Sequence, residues 1–210
     1  NVKLDSSDLE FFKDDKLDQV IGMRFRQLQI PRGQMLKSAR IQFTAKDPSK
    51  EPTEFIFKIE DNVDAAQFKS EAKHITSRKA TDGEVRWSPE PWETKDASRK
   101  RQRSPNLISL IQPIIDRDDW KPGNSIAFMV SGTGHRNAVS FDGKKEHAPK
   151  LILDYETADA EIPIEEAPRY TVRLHFFDPD KLPAGERLFN VSLQGKPVLT
   201  SFDLADHLSE

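Results

Sequence analysis

The side chains best suited to hold a ligand are three tryptophans, a glycine-rich loop and a basic loop. An indole has an apolar face and a polar edge, which matches the face of a pyranose ring. Trp87, Trp92 and Trp120 are therefore candidate stacking platforms. Prolines also pack indoles into corners, and Trp87 and Trp92 flank Ser88-Pro89-Glu90-Pro91. Trp92, set among prolines and charges, is expected to be the exposed one. Residues 131–137, SGTGHRN, are rich in glycine. A phosphate cradle needs such a loop to enter a helix, whereas this one lies between two strand patterns. It brings His135 and Arg136 close in sequence to Asp142, Glu146 and His147. The ligand-binding residues read from the sequence are Trp92, His135, Arg136 and Asp142, with exposed polar loop residues as the alternative.

Two histidines and two carboxylates without fixed spacing form a weak metal signature, so the metal assignment stays open. Asp5, Asp8, Asp14, Asp15 and Asp61 offer hard oxygen ligands. Their spacing does not make a dedicated calcium loop. No cofactor is expected, and a structural calcium is not predicted. The loop 95–103 carries Lys95, Arg99, Lys100, Arg101 and Arg103. It reads either as a patch for an anion or acidic polysaccharide, or as a solvated charge run.

The chain shows no hydrolase elbow, P-loop, dinucleotide fingerprint or zinc-protease motif. A glycosidase needs two carboxylates at a set separation across a cleft, and many carboxylates are present without a pattern that selects a pair. The expectation is a protein that is not an enzyme, with no catalytic residues. The 32 basic and 35 acidic residues give a net charge of −3, which argues against nucleic acid as a partner. The absence of cysteine excludes disulfides, thiolate zinc sites and cysteine nucleophiles. No apolar run is long enough to span a bilayer. The sequence begins at Asn1 rather than Met, and it reads as a mature or excised piece of a longer protein.

The elements that must position these residues are short strands. Residues 21–45 read as strand, turn, strand, a hairpin in which Ile21, Met23 and Phe25, then Ala39, Ile41, Phe43 and Ala45, alternate with polar neighbours. Period-two alternation buries one face and wets the other, so Arg24, Arg26, Arg40 and Gln42 are placed on an outer polar face. Strands are predicted at 9–12, 19–27, 36–46, 53–60, 84–87, 125–130, 139–141 and 151–155. Many short strands with turns between them indicate a sandwich or jelly roll. One helix is predicted from Ser104 as N-cap and Pro105 as first residue, carrying Leu107, Leu110, Ile111, Ile114 and Ile115, with Pro113 expected to bend or shorten it. The fold class is an all-β, jelly-roll-like antiparallel β-sandwich with one short covering helix, plus a partial second β domain. Domains are placed at 1–157 and 169–210, joined by an acidic, proline-bearing linker at 158–168. Further strands are predicted at 169–177, 187–193 and 198–204.

Two resemblances follow from these pieces. VIGMRF at 20–25, IPRG at 30–33, ARIQF at 39–43, VRWSP at 85–89 with Trp92, the helical pattern at 105–115 and APKLILDY at 148–155 resemble, over about 4–156, the DNRLRE-type, carbohydrate-binding-module-like sandwiches of secreted bacterial proteins. YTVRLHFFD at 170–178, GERLFNV at 185–191, QGKPVL at 194–199 and FDL at 202–204 resemble part of a malectin-like domain, over about 169–204. The second resemblance implies a carbohydrate binder that stacks sugar on aromatic residues. That family's aromatic pair falls here on Asp180 and Lys181, which cannot stack. Together they imply a non-catalytic, secreted, extracellular or periplasmic binding module for polysaccharide or glycan, beside other domains of the same chain. The competing expectation is a structural or adhesive spacer without a ligand.

Overall fold

The computed structural model describes residues 2–14, 17–155, 183–186, 188–193, 195–203 and 205. Asp15, the linker at 158–168, the strand expected at 169–177, Asp180, Lys181 and Leu204 lie outside the described residues. The chain separates into two compact units, Asn1–Ala158 and Asp159–Glu210.

In the first unit the strands are β1 (Asp8–Phe11), β2 (Lys13–Asp14), β3 (Leu17–Asp18), β4 (Ile21–Phe25), β5 (Leu36–Gln42), β6 (Glu54–Ile59), β7 (Val85–Trp87), β8 (Ile126–Thr133), β9 (Arg136–Val139) and β10 (Lys150–Tyr155), with helix α1 (Ile108–Ile115) between β7 and β8. One sheet has the order β4-β8-β6-β7, and every pairing in it is antiparallel. Facing it, β10 pairs with β5, and β9 pairs with β1. The chain beyond β5 bridges β9 through Ala45 and Ala138. This is an all-β antiparallel sandwich, as the strand spacing implies.

Alternation fills the space between the layers. Phe55, Phe57 and Ile59 of β6, Ile126, Phe128 and Val130 of β8, and Ile41 with Phe43 are fully buried. Phe55 is the hub, with ring centroids 4.7 Å from Phe11, 4.9 Å from Phe12 and 4.9 Å from Trp87. Each such aromatic pair adds about 1 kcal/mol beyond its buried area. Consecutive strand residues face opposite ways, yet Phe11 and Phe12 both reach this core. The backbone breaks at Phe12, whose φ of 139° turns the second ring inward.

The expected hairpin at 21–45 is corrected. β4 pairs with β8, and β5 pairs with β10, so the two strands lie in different sheets. The connection between them is an arch held by long-range bonds. The Leu28 amide donates to the Asn124 carbonyl at 2.9 Å, the Gly33 amide to Ile115 at 3.0 Å, and the Trp120 indole to Ile30 at 2.9 Å. The outer polar face is corrected at two members, Arg24, which is half-buried beneath Ala65, and Gln42. Gln42 is buried rather than wet, because its amide is used to bind backbone.

The helix starts later than Ser104. The Ser104 hydroxyl accepts from the Ile41 amide at 2.9 Å, and the Leu107 amide donates to Ala39 at 2.7 Å. These bonds hold 104–107 extended along β5, so Ser104 cannot cap. The Asn106 carboxamide oxygen instead accepts from the Ile108 amide at 3.2 Å. Pro113 lies inside the resulting eight-residue helix. Leu110, Ile111, Ile114 and Ile115 are its buried face, packed on β5.

A long excursion between β6 and β7 covers the outer face of β4 and β8. The Arg24 Nε donates to the Ala65 carbonyl at 2.6 Å, and the Ala65 amide donates to Ser125 at 2.8 Å. Arg78 is tied to Glu60 at 2.7 Å and lies 4.2 Å over the Phe68 ring.

In the second unit β11 (Leu188–Leu193) and β12 (Lys196–Asp203) pair antiparallel, with register shifts around Val191. Phe189 and Phe202 meet edge to face at 5.3 Å. The Asp203 carboxylate is buried and accepts from the amides of Gly185 and Ala205.

Candidate functional site

The basic loop forms the wall of a cleft. After β7 the chain bridges back to the strand that continues β5. The Ser49 amide donates to the Trp92 carbonyl at 2.8 Å, and the Trp92 amide donates to Ser49 at 2.9 Å. Residues 96–102 then follow the same strand. The Asp96 amide donates to Ala45 at 2.8 Å, and the Ser98 hydroxyl to Phe43 at 2.9 Å. The Phe43 amide closes the path on Gln102 at 2.9 Å.

Two buried glutamines lock the turn. The Gln42 Nε2 donates to the carbonyl of Arg99 at 3.0 Å, and its Oε1 accepts from Arg103 Nε at 2.7 Å. The Gln102 Oε1 accepts from the Arg99 amide at 3.0 Å. The loop is thus anchored through its backbone, and its long cationic side chains are left outside.

The cleft between these segments has a volume of about 430 Å³ and is lined by Glu93, Thr94, Ala97, Arg99, Lys100, Arg101 and Gln102. Arg101 is neutralised by Glu90 at 2.8 Å and Glu93 at 3.0 Å. Arg99 and Lys100 are exposed and make no ion pair among the described residues. A wall with two uncommitted cations, a threonine and a glutamine can hydrogen-bond hydroxyls and attract a negative group. A second cleft, of about 250 Å³, lies where the excursion meets the sheet and includes Lys58, Ile75, Arg78 and Met129.

The four residues predicted to bind ligand do not converge. Trp92 is corrected from exposed to fully buried. Its ring packs 6.1 Å from Phe43 and 6.4 Å from Trp87, and its Nε1 donates to the Arg101 carbonyl at 3.0 Å. The flanking prolines fold the ring inward instead of presenting it. Arg136 is 1 % exposed. Its guanidinium donates to the carbonyl of Glu51 at 2.7 Å, to Thr53 Oγ1 at 2.8 Å and to the carbonyl of Pro89 at 3.3 Å. Burial pushes its pKa down, while its Nε is buried without a partner. Arg136 is a clamp that joins β9 to the loops before β6 and after β7. His135, half-buried, precedes it, and its carbonyl accepts from Ser49 Oγ at 2.8 Å. Asp142 is exposed in the turn that follows the other end of β9. Among the other tryptophans, Trp120 is buried and Trp87 half-buried.

The positioning residues missed by sequence reasoning are Gln42 and Gln102. A glutamine inside an otherwise alternating strand, followed 60 positions later by one inside a basic run, carries no local signal. Among the described residues no group of three or more His, Asp or Glu is close enough to hold a metal ion. No helix among them is long and apolar enough to cross a membrane.

The family described as Malectin domain matches residues 144–210, about a third of the chain. The matched stretch includes β10, whose ladder partners Leu36–Gln42 lie outside it, and the β11–β12 hairpin. No curated protein matches the chain, and no solved structure matches it. The malectin-like resemblance of the C-terminal part is supported by this match.

Proposed function

We propose that this chain is a non-catalytic, secreted binding module for carbohydrate within a longer bacterial protein. The observation that carries the reading is the Malectin domain match at 144–210, which spans the C-terminal motifs that resemble that family. The sandwich of the first unit and the sequence pieces at 4–156 support the likeness to DNRLRE-type modules. The division of the chain into two compact units, Asn1–Ala158 and Asp159–Glu210, supports two domains that part near residue 158; the linker at 158–168 and the start of the second domain at 169 are part of the proposal. On this reading, His135 and Asp142 contribute polar contacts at the ends of β9, while Trp92 and Arg136 act from below by holding the loops in place.

The experiment is a glycan array probed with the full chain, with and without calcium. Retention of one glycan class, lost on unfolding, is the expected result. Retention of no glycan would overturn the reading and favour a spacer that positions other domains. Turnover of any member of a polysaccharide panel would overturn the non-catalytic part.

A further inference from the structure

We propose that the cleft lined by Glu93, Thr94, Arg99, Lys100, Arg101 and Gln102 is a subsite for a carboxylate-bearing glycan, an oligomer of uronic acid. The proposal rests on the carbohydrate-binding reading above and adds the ligand's charge and place. Three observations carry it.

The first is shape. The cleft, about 430 Å³, has the size of small-ligand sites, which run roughly 300–1,000 Å³. The second is preorganisation. A charge run in a free loop must be ordered when ligand binds, which costs about 0.5–1.5 kcal/mol per long side chain, plus the ordering of the loop itself. Here the backbone cost is met in advance. The loop is bonded to Phe43, Ala45, Gln42 and the Trp92 indole before any ligand arrives. The third is charge accounting within the cleft. Glu90 and Glu93 are both committed to Arg101. Arg99 and Lys100 face solvent without an ion pair among the described residues.

A guanidinium fork matches the two oxygens of a carboxylate, and an ammonium adds a point charge beside it. Thr94 and Gln102 supply hydroxyl and amide groups on the scale of sugar hydroxyls. Nucleic acid fits less well. Its affinity grows with the number of phosphates neutralised, and two uncommitted cations on a chain of net charge −3 offer few.

The test is calorimetric titration of the full chain with a short galacturonate oligomer, a neutral cello-oligosaccharide of equal length, a sulfated oligosaccharide and a single-stranded oligonucleotide. The galacturonate oligomer should bind at least about tenfold more tightly than the neutral one, the scale of one charge-assisted hydrogen bond. The double variant Arg99→Gln/Lys100→Gln should lose that preference while melting at the wild-type temperature, since both side chains are exposed. Glu90→Gln/Glu93→Gln should tighten galacturonate binding by releasing Arg101. Equal affinity for the neutral oligomer, unchanged in the Arg99/Lys100 variant, would overturn the acidic subsite and leave the carbohydrate reading standing. Tighter binding of the sulfated oligosaccharide or the oligonucleotide would overturn the carboxylate assignment. Failure of the galacturonate oligomer to bind would overturn this subsite, while the carbohydrate reading falls only if the glycan array retains nothing.

Discussion

The indole Nε1 of Trp92 donates a hydrogen bond to the Arg101 carbonyl at 3.0 Å, so the aromatic core of the sandwich reaches directly beneath the basic cleft. Trp92 also exchanges both backbone bonds with Ser49, which fixes where the ring can sit. Trp92→Phe keeps an aromatic ring in the core but removes the donor and part of the volume. It should cost about 2–4 kcal/mol of stability, from the cavity and the orphaned carbonyl together. It should also weaken any ligand held by the cleft, although Trp92 has no surface with which to touch one. Chemical denaturation and ligand titration of the same variant check both effects. Unchanged stability would contradict the burial argument.

Arg136 should behave as a structural residue of the first rank. Its guanidinium lies within hydrogen-bond distance of the carbonyls of Glu51, His135 and Pro89 and of the hydroxyls of Ser49 and Thr53. Arg136→Met removes every one of these donors at once. The His135 and Glu51 carbonyls keep hydroxyl donors from Ser49 and Thr53, so the Pro89 carbonyl and the lost ties between the loops set the cost, about 1–3 kcal/mol. Arg136→Lys keeps the charge but lacks the planar fork, and should fall between the two. Urea unfolding at constant m-value measures this.

The sequence made the strands legible where burial is local and periodic. Phe55, Phe57 and Ile59 face inward as their spacing requires, and so do Ile41 and Phe43. It failed where the deciding partner is far away in the chain. Ile21 pairs with Val130 and Leu151 with Ile41, and nothing within 21–45 reveals that its two strands belong to opposite sheets. Ser104 has the chemistry of an N-cap, yet Ile41 takes its hydroxyl first. The exposure of Trp92 was misread for the same reason. Prolines and charges around Trp92 look like surface, and the basic run at 99–103 looks solvated, until Gln42 and Gln102 are seen to bind its backbone. The covering excursion at 61–82 shows no strand period, because polar contacts such as Arg78 with Glu60 and the packing of Phe68 against Gly22 hold it, with strand pairing only at the Glu60–Ala80 bridge.

Asp61 should give the fold a defined acid sensitivity. Its carboxylate binds Lys79 Nζ at 2.7 Å and Arg117 Nη2, joining the start of the excursion to its far side and to the turn after α1. The hydrogen bond from Lys79, then that from Arg117, holds its pKa at about 2, below the ordinary 3.8. A carboxyl whose folded pKa is depressed stabilises the fold above its unfolded pKa and loses that contribution as pH falls through the folded one. The pairing should therefore be fully present above about pH 3.8 and vanish as pH falls to about 2. Thermal melts of wild type and Asp61→Asn across this window check the sign. The wild-type advantage should shrink as pH drops. A gap that stays constant from neutral pH to pH 2 would show that Asp61 contributes no pH-linked stability.

Gly22 tests whether the excursion is a fitted cover or a loose flap. A Cβ at this position of β4 would stand 2.7 Å from Phe68 Cζ and 3.1 Å from Ile75 Cδ1. Both atoms belong to side chains of the excursion and not to the sheet, so the strand itself can accept the methyl. Gly22→Ala must therefore push the cover outward. Overpacking of this kind costs about 1–3 kcal/mol, against a small gain from reducing the entropy of the unfolded strand. The displacement has a location as well as a size. Arg78 lies over the Phe68 ring and reaches the Gln67 carbonyl at 3.1 Å, so moving Phe68 strips Arg78 of two partners. Hydrogen exchange should speed up at amides within 65–80, including the Ser77 amide bonded to Lys73 and the Arg78 amide bonded to Ile75. The amides of β6 that pair with β8 should keep their protection. Phe68→Ala should relieve the clash, so the double variant should be less destabilised than the two single changes add up to. Additive losses, with protection unchanged across 65–80, would mean that Phe68 does not rest on Gly22 in solution.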